Sequence, residues 1–504
     1  MRELRSTALQ LFSREDPFLC YYDKENTTKI QPQLTIILSF VMIGKLFLLE
    51  KTMSQEREFT EGKIYRPLLR FMLPLLFANF LQALYSAGDM LIIGLFGSTS
   101  DVSAVSTGSG IVDMVRTIIA GLAIGTTVIL GQQLGKEKTE EAGRVVGTSI
   151  WSFGILGFLL TILLFFPASF WAHLMQAPDE AFRSTVLYIR ICAAGTVFVA
   201  LYNVLGSIFR GVGDSKTPLV IVSVSFILNL IADIILVGHL KLGAGGSAIT
   251  NVFAQALSVG LGIRIINRRH LPFPFHKSMI RKESRHLKNI FSVGLPMALQ
   301  DLLVSLSFLV IIAIINDLGV VASAGAGVAE KVCAFIMIVP GSFSQALSAY
   351  VAHNIGARKP ERAVRGMIYA VLTSVIAGVL MFLLAWFRGD LLIDLFVSGK
   401  PDVVAAGWDY LRAYAIDCLL TPFVFCLHGF FIGVGHTRFV ALEGIFGAFG
   451  VRIPVSWLMS RRLPVSMFHV GLGIPCSTIV QLAIDLVHLR LCLRRPELLK
   501  PLED

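Results

Sequence analysis

Long apolar stretches alternate with short charged segments along most of this chain. Residues 145–172, 217–232 and 367–387 contain no Asp, Glu, Lys or Arg. A helix needs roughly 20 apolar residues to cross a bilayer core, and each stretch is near or above that length. From Arg66 onward the pattern predicts twelve membrane-spanning helices, numbered here as spans 1 to 12, at residues 67–95, 102–133, 141–167, 184–208, 216–238, 245–267, 289–316, 321–355, 361–387, 405–430, 438–459 and 468–493.

Composition excludes a soluble domain and therefore supports an all-α polytopic membrane protein. The 504 residues are 55% hydrophobic and 15% charged, with a mean hydropathy of +0.71. Ordinary globular chains carry about 25% charged residues. The net charge of +10 does not indicate nucleic-acid binding, because the basic residues recur at nearly every second loop instead of gathering in one patch.

The alternation of basic loops predicts the orientation in the membrane. Lys and Arg cluster before span 1, after span 2, after span 8 and in the central connector, whereas the alternate loops carry few of them. Arg461 and Arg462 form the one exception. By the positive-inside rule, both termini are expected in the cytoplasm, in a multi-pass protein of the inner (plasma) membrane.

Two halves of the chain resemble each other. Leu73-Pro74 matches Leu295-Pro296, and the segment GKEKTEEA that begins at Gly135 matches GARKPERA, which begins at Gly356. The offset is about 222 residues throughout, as a duplicated unit requires. Six spans per half is an even number, so both halves enter the membrane from the same side and form a parallel repeat. Two such lobes facing each other favour a transporter.

This repeat predicts the domain organisation. The first lobe is expected at 53–270, a basic cytoplasmic connector at 271–287, the second lobe at 288–495 and a cytoplasmic tail at 496–504. Residues 1–52 do not match the rest, because their apolar run at 34–49 is short for a span and contains Lys45. They are interpreted as an N-terminal extension, arising either from a mis-assigned start upstream of Met53 or as a membrane-surface segment.

Two acids lie within apolar spans, where a charge costs about 2.5–3.5 kcal/mol and usually has a function. Asp89 lies late in span 1 and Asp233 in span 5. Asn229 precedes Asp233 by four residues, so both side chains project from one face of the helix. Thr250 adds a hydroxyl near the start of span 6. Together these groups predict an oxygen-rich site that binds Na⁺ or shares protons.

Other intramembrane residues are secondary candidates. Gln82 lies two turns before Asp89, and Asn203 lies in span 4, so both are candidates to line a substrate cleft, although ordinary interhelical hydrogen bonding explains them nearly as well. Pro74 and Pro296 are expected to kink spans 1 and 7, and the kink is either static or a moving part.

The second lobe also carries buried acids. Asp301 and Asp417 are candidates for a second ion site, whereas Glu330 is expected to be neutralised by the adjacent Lys331. The intramembrane cations are expected to pair with these acids: Arg116, Arg190 and Arg412.

Enzymatic chemistry is not indicated. The chain has no HExxH motif, and its seven cysteines are scattered without a CxxC pair. We therefore expect a protein that is not an enzyme, with no cofactor and no metal other than Na⁺ as a coupling ion.

An ordered set of motifs resembles the bacterial multidrug and toxic compound extrusion (MATE) family over about residues 60–495. The motifs are the Leu-Pro of span 1, Tyr85-x-x-x-Asp89, Gln132-Gln133-Leu134-Gly135, Arg210-Gly211-x-Gly213-Asp214, Asn229-x-x-x-Asp233, Ala346-Leu347-Ser348 and Asn354-Ile355-Gly356-Ala357. The chain departs from the NorM-like branch of the family in spans 7 and 10, where Val304, Ser305 and Thr421 stand in place of acids.

The resemblance implies a V-shaped antiporter, expected to be a monomer, that exports amphipathic, often cationic organic compounds in exchange for H⁺ or Na⁺. In the DinF-like branch, which the motifs favour, the cation site falls on Asp89, Asn229, Asp233 and Thr250. The alternative is a lipid-linked oligosaccharide flippase of the same superfamily, although this chain has few Arg or Lys residues directed at the cleft.

Overall fold

The computed structural model describes residues 59–268, 271–397, 400–462 and 464–502. The predicted N-terminal extension at 1–52 lies outside the described residues. Within them the chain is helical, and eleven helices are long and apolar enough to cross a membrane. A twelfth span is a pair of helices bent by 47°. The prediction of an all-α protein with twelve spans in two six-helix lobes is confirmed.

The observed spans lie close to their predicted positions. In order they are Tyr65–Phe96, Thr99–Gly135, Thr139–Phe165, Asp179–Ala194 with Thr196–Val212, Lys216–His239, Gly243–Arg268, Ser284–Asn316, Val320–Gly356, Pro360–Asp394, Pro401–Val434, Thr437–Ser460 and Met467–Arg494. A short helix, Ala168–Leu174, follows span 3. The main surprise is the bend in span 4 at Gly195, which periodicity alone does not predict.

The loops confirm that the two halves repeat in geometry as well as in sequence. Gly213 and Gly435 end spans 4 and 10 with positive φ values of 85° and 104°, which glycine adopts without strain. After spans 2 and 8, Glu137 and Arg358 take the left-handed conformation at φ values of 59° and 58°. Each half therefore makes the same turns at the same places.

The lobes share one hydrophobic core at one end of the bundle. We call this the basic end, because the loops at 136–138, 213–215, 357–359 and 435–436 and the connector at 271–283 lie there, and most of them are rich in Lys and Arg. Its core includes Leu75 and Ile119 from the first lobe and Ile290, Phe343 and Phe430 from the second. At the opposite end, each lobe has a separate core among the described residues. The lobes are thus joined at the basic end.

Glycines permit this close contact between the lobes. A β-carbon on Gly125 of span 2 would collide with the Ile290 carbonyl oxygen of span 7. A β-carbon on Gly294 of span 7 would collide with the Leu122 carbonyl oxygen. Backbones can approach this closely only where side chains are absent, as in small-residue interfaces of membrane helices. We refer to this contact between spans 2, 7 and 8 as the seam.

Hydrogen bonds reinforce the seam. The Gln132 side-chain amide donates to the carbonyl oxygen of Gly433 at 3.1 Å, and His353 Nε2 lies 2.8 Å from the carbonyl oxygen of Gly211. The predicted tail also takes part, because the Leu502 backbone N–H donates to Gln132 Oε1 at 3.0 Å and its carbonyl accepts from Lys136 at 2.9 Å. The C-terminal segment therefore crosses from one lobe to the other.

A change at the seam tests how the lobes are held together. Replacing Gly125 with Ala places a methyl group against the Ile290 carbonyl, and overpacking of this kind costs about 1–3 kcal/mol. We expect the basic end to open, which would lengthen the distance between spin labels at Thr139 and Glu361. Gly154→Ala is the control, because a β-carbon there meets nothing within 4 Å. Unchanged distances in Gly125→Ala would contradict this account of the seam.

Candidate cation site in the first lobe

Three spans of the first lobe bring the predicted site residues together. Span 1 supplies Asp89, span 5 supplies Asn229 and Asp233, and span 6 supplies Thr250. Asp89 is 8% exposed and Asp233 is 1% exposed, so both carboxyl groups are removed from bulk solvent. Span 5 widens into a π-helical segment, Ile234–His239, directly after Asp233, a distortion that is frequent at functional sites.

Asn229 bridges the two acids. Its side-chain nitrogen donates to Asp89 Oδ1 at 2.6 Å and to Asp233 Oδ2 at 3.1 Å. Its side-chain oxygen accepts a hydrogen bond from the Tyr85 hydroxyl at 2.9 Å. The amide thus donates one hydrogen bond to each carboxyl group, and its oxygen accepts one from a phenol. These three bonds fix the orientation of the Asn229 side chain.

The remaining carboxyl oxygens face span 6. The Thr250 hydroxyl lies 2.5 Å from Asp233 Oδ1 and 2.8 Å from the carbonyl oxygen of Ser247. A hydroxyl has one proton, so it cannot donate to both acceptors at once. If Asp233 holds a proton, it donates to Thr250, which then donates to Ser247. The geometry therefore accommodates Asp233 with or without a proton.

The nearest donors to these acids are neutral side chains, and Arg116 acts on Asp89 through its charge without forming a salt bridge. Asp89 Oδ2 accepts from the side-chain amide of Asn251 at 2.7 Å, and no Lys, Arg or His within the described residues forms a salt bridge with either acid. Two ionised carboxylates held by one amide in a low-dielectric site repel each other strongly. The arrangement therefore favours uptake of a cation that neutralises one of the charges.

A cavity of about 160 Å³ adjoins Asp89 and extends between spans 1, 2, 4 and 6. Its wall combines apolar side chains such as Met90 and Val112 with polar groups. Asp113 and Arg116 form an ion pair at 3.1 Å on this wall. An amphipathic cavity beside a cation site is suited to a ligand with apolar and charged parts.

The secondary cleft candidates are not part of this cavity. Gln82 is half-buried on span 1, and neither it nor Asn203 is among the residues of the cavity wall. Asn203 donates to the Val199 carbonyl of its own helix at 2.9 Å. Pro74 and Pro296 lie inside spans 1 and 7, and both helices continue through them.

The expected pairing of Arg116, Arg190 and Arg412 with the second-lobe acids is wrong, because none of the three forms a salt bridge with those acids within the described residues. Arg116 and Arg412 pair instead with Asp113 and Asp409, three residues earlier on their own helices. Each arginine reaches the acid on its own helix without crossing to another span, so this local ion pair forms in preference to one with a distant acid.

The other second-lobe acids also lack the predicted partners. Glu330 makes no ion pair with Lys331, and its Oε1 is buried without a hydrogen-bond partner. No contact joins Asp301 to Asp417 within the described residues. Asp417 is buried and experiences the charge of Arg452 instead.

Sequence reasoning missed two residues of the site and one whole cluster. Asn251 and Tyr85 complete the hydrogen bonding around the acids. Asn251 is a polar residue on an apolar helix next to Thr250, and that signal was present in the sequence. The cluster is formed by His428, Glu443 and Asp485 on spans 10, 11 and 12. Its members are far apart in sequence, so their spacing does not reveal it.

Comparison with known proteins decides the family. The MatE family model matches residues 74–235 and 296–458, once in each half. This chain belongs to the MatE family of multidrug and toxic compound extrusion transporters. It is a membrane transporter and not an enzyme, as the sequence predicts.

Individual MATE relatives match along nearly their whole length. The chain is 26% identical to the probable multidrug resistance protein YoeA of Bacillus subtilis, over 86% of this chain and 95% of that protein. It is 22% identical to the multidrug export protein MepA of Staphylococcus saprophyticus, over 88% and 98%. A solved structure of a multidrug resistance MATE transporter in an outward-facing conformation superposes with a TM-score of 0.82, at 21% identity, over 89% and 99%. At that identity the structural match establishes the fold.

The bridging amide provides a test of the site's structure. Replacing Asn229 with Leu keeps the branched shape of the side chain, although the side chain becomes larger, and removes the donor to both carboxyl groups. Hydrogen bonds to charged groups are worth about 1.5–3 kcal/mol each, so we expect a clear loss of thermal stability in detergent. Asn203→Leu is the matched control, because that amide bonds only to its own helix. An equal or larger loss in Asn203→Leu would contradict the special role of Asn229.

Proposed function

We propose that this MATE transporter is a cation-coupled antiporter that exports amphipathic or cationic organic compounds, with Asp89, Asn229, Asp233 and Thr250 as its H⁺ or Na⁺ site. The observation that carries the proposal is the pair of buried carboxyl groups bridged by one amide and lacking a basic partner within the described residues. The same four positions are those that the DinF-like branch uses, and we assign the chain to that branch.

The hydrogen-bond network supports two states of the site. With both acids ionised, the Asn229 nitrogen faces them and Tyr85 donates to the amide oxygen. When a cation binds, the amide can turn so that its oxygen faces the charge and its nitrogen donates to Tyr85. A phenol both donates and accepts, so neither state leaves Tyr85 without a partner. Na⁺ needs the turned state because it binds oxygen, whereas a proton on Asp233 is accepted by Thr250 without any rotation.

Span 1 links this site to the other lobe. It carries Asp89 near the opposite end, and ten residues earlier Asn79, which donates to the Ser342 hydroxyl of span 8 at 3.0 Å. A change in the position of span 1 on cation binding therefore alters a contact between the lobes. Such a change drives transport only if substrate and cation bind the two states with different affinities.

The substrate class follows from the cavity and from the relatives. The cavity wall carries Asp89 in addition to the Asp113–Arg116 ion pair, so it offers negative charge beside apolar walls when Asp89 is ionised, as an amphipathic organic cation requires. The named relatives are described as multidrug resistance or export proteins. We place the protein in the inner membrane, with its basic end in the cytoplasm because of the positive-inside rule. Export therefore runs from the basic end towards the opposite end.

Removing either acid should abolish coupled export. Asp89→Asn and Asp233→Asn keep the shape of the side chain but lose the charge that attracts the cation. We expect dye efflux from cells to fall to the level of cells without the transporter, while the amount of protein in the membrane is unchanged. Asp409→Asn is the control, because its side chain is 52% exposed and pairs with Arg412. Normal efflux in either site variant would contradict the assignment.

The identity of the coupling ion requires a separate experiment. Purified protein in vesicles is given a proton gradient alone, then a Na⁺ gradient alone, and substrate movement is followed by fluorescence. The Thr250 hydroxyl can accept a hydrogen bond from protonated Asp233 without any rearrangement of the site, so we expect that the proton gradient suffices. Transport driven by neither gradient would contradict antiport itself.

A further inference from the structure

Three titratable side chains meet in the second lobe, away from the proposed cation site. His428 on span 10 is 9% exposed, Glu443 on span 11 is 4% exposed and Asp485 on span 12 is fully buried. We call them the second-lobe triad. Each lies in the half of its span nearer the basic end, whereas Asp89 and Asp233 lie nearer the opposite end.

One histidine nitrogen faces both acids. His428 Nε2 lies 3.0 Å from Glu443 Oε2 and 3.4 Å from Asp485 Oδ2. That nitrogen carries at most one proton, and the hydrogen bond goes to Glu443. Both carboxyl oxygens of Asp485 are left buried without a hydrogen-bond partner, as is Glu443 Oε1.

The charges of the triad do not balance when all three groups are ionised. One imidazolium and two carboxylates sum to a net negative charge in a buried site. An ionised carboxylate without donors is very costly at this depth. An ordinary ion pair between the imidazolium and one acid neutralises one carboxylate and leaves the other without a counter-charge. The triad therefore needs one more positive charge than its own side chains supply.

Neighbouring elements do not supply that charge within the described residues. Arg452, further along span 11, donates instead to the Ser307 hydroxyl at 3.2 Å and lies over the Phe308 ring. His488, one turn after Asp485, is 3.1 Å from His436. Only the members of the triad act electrostatically on His428 and Asp485.

The remaining neighbours of the triad are uncharged. Span 7 places Gln300 against Gly444, and span 12 places Gln481 against Gly447. Span 8 packs against Gly429 through Ser344 and Leu347. Asp301 of span 7 has no charge interaction with any member of the triad. The missing charge must therefore come from a bound cation.

We propose that His428, Glu443 and Asp485 form a second proton-binding site, which holds a proton shared between the two acids. The proton is the cation that fits, because the side chains are already within hydrogen-bonding distance of the central nitrogen. With the extra proton on Asp485, the imidazolium of His428 and the carboxylate of Glu443 balance each other and the triad becomes neutral. This inference rests on the proposed proton-coupled function and extends it to the second lobe.

The position of the triad connects it to the seam. His428 is flanked by Leu427 and Phe430, which belong to the core shared by the lobes. Five residues further along span 10, the Gly433 carbonyl accepts the hydrogen bond from Gln132 of the first lobe. Loss of the proton leaves repelling charges beside this contact. Protonation of the triad therefore stabilises the state in which the basic end is closed.

Infrared spectroscopy tests the proposal directly. The purified full-length protein is titrated from acidic to alkaline pH, and the absorption of protonated carboxyl groups is recorded. We expect one component of this absorption to change with pH in the wild-type protein. That component should be absent from both Glu443→Gln and Asp485→Asn and should persist in Asp89→Asn and Asp233→Asn. Asp409→Asn, on the same helix as His428, is the matched control and should leave every buried component in place.

Each outcome decides between alternatives. If no component is lost in the two triad variants, the proton site is refuted. A variant that fails to fold is replaced by His428→Gln, which keeps both acids and should shift the same component. Efflux measured in parallel separates the two proposals. If Asp89→Asn loses efflux but the two triad variants lose no infrared component, only the triad proposal is rejected. If Asp89→Asn keeps normal efflux, the proposed function is rejected.

Discussion

The organisation of the first lobe depends on one electrostatic constraint. Two carboxyl groups are buried within hydrogen-bonding reach of the same amide, and among the described residues no basic side chain pairs with them. Two ionised carboxylates are costly in a low-dielectric interior, so binding a cation or a proton would relieve this constraint. Because the acids lie on spans 1 and 5 and their partners on span 6, the charge state of the site acts on three helices at once.

The repeat supplies a symmetric frame for asymmetric chemistry. Both halves make the same turns at Gly213 and Gly435, and glycines let their backbones meet at the seam. The chemistry differs, because Val451 and Val455 occupy the second-lobe positions that align with Asn229 and Asp233. The second-lobe triad lies elsewhere, nearer the basic end. Its buried acids and those of the first lobe are therefore at different depths of the same bundle.

Much of this structure was predictable from the sequence. The twelve spans follow from apolar runs, and the four candidate site residues stand out in the sequence because charged and amide groups are costly in such runs. Asn251 was missed although it is a polar residue on an apolar helix, and its contact with Asp89 is seen only in three dimensions. The pairing of Arg116 was predicted wrongly because a nearby acid on the same helix was overlooked. The triad was missed because its residues lie on three helices, and helix packing cannot be worked out from spacing.

The central claim is that Asp89 and Asp233 hold one cation between them. The most direct test measures cation affinity by titration of purified protein, for wild type, Asp89→Asn, Asp233→Asn and the double variant. A shared cation predicts that each single change removes most of the affinity and that the double variant is little worse than either. Losses that add up independently would show two separate sites and would contradict the account.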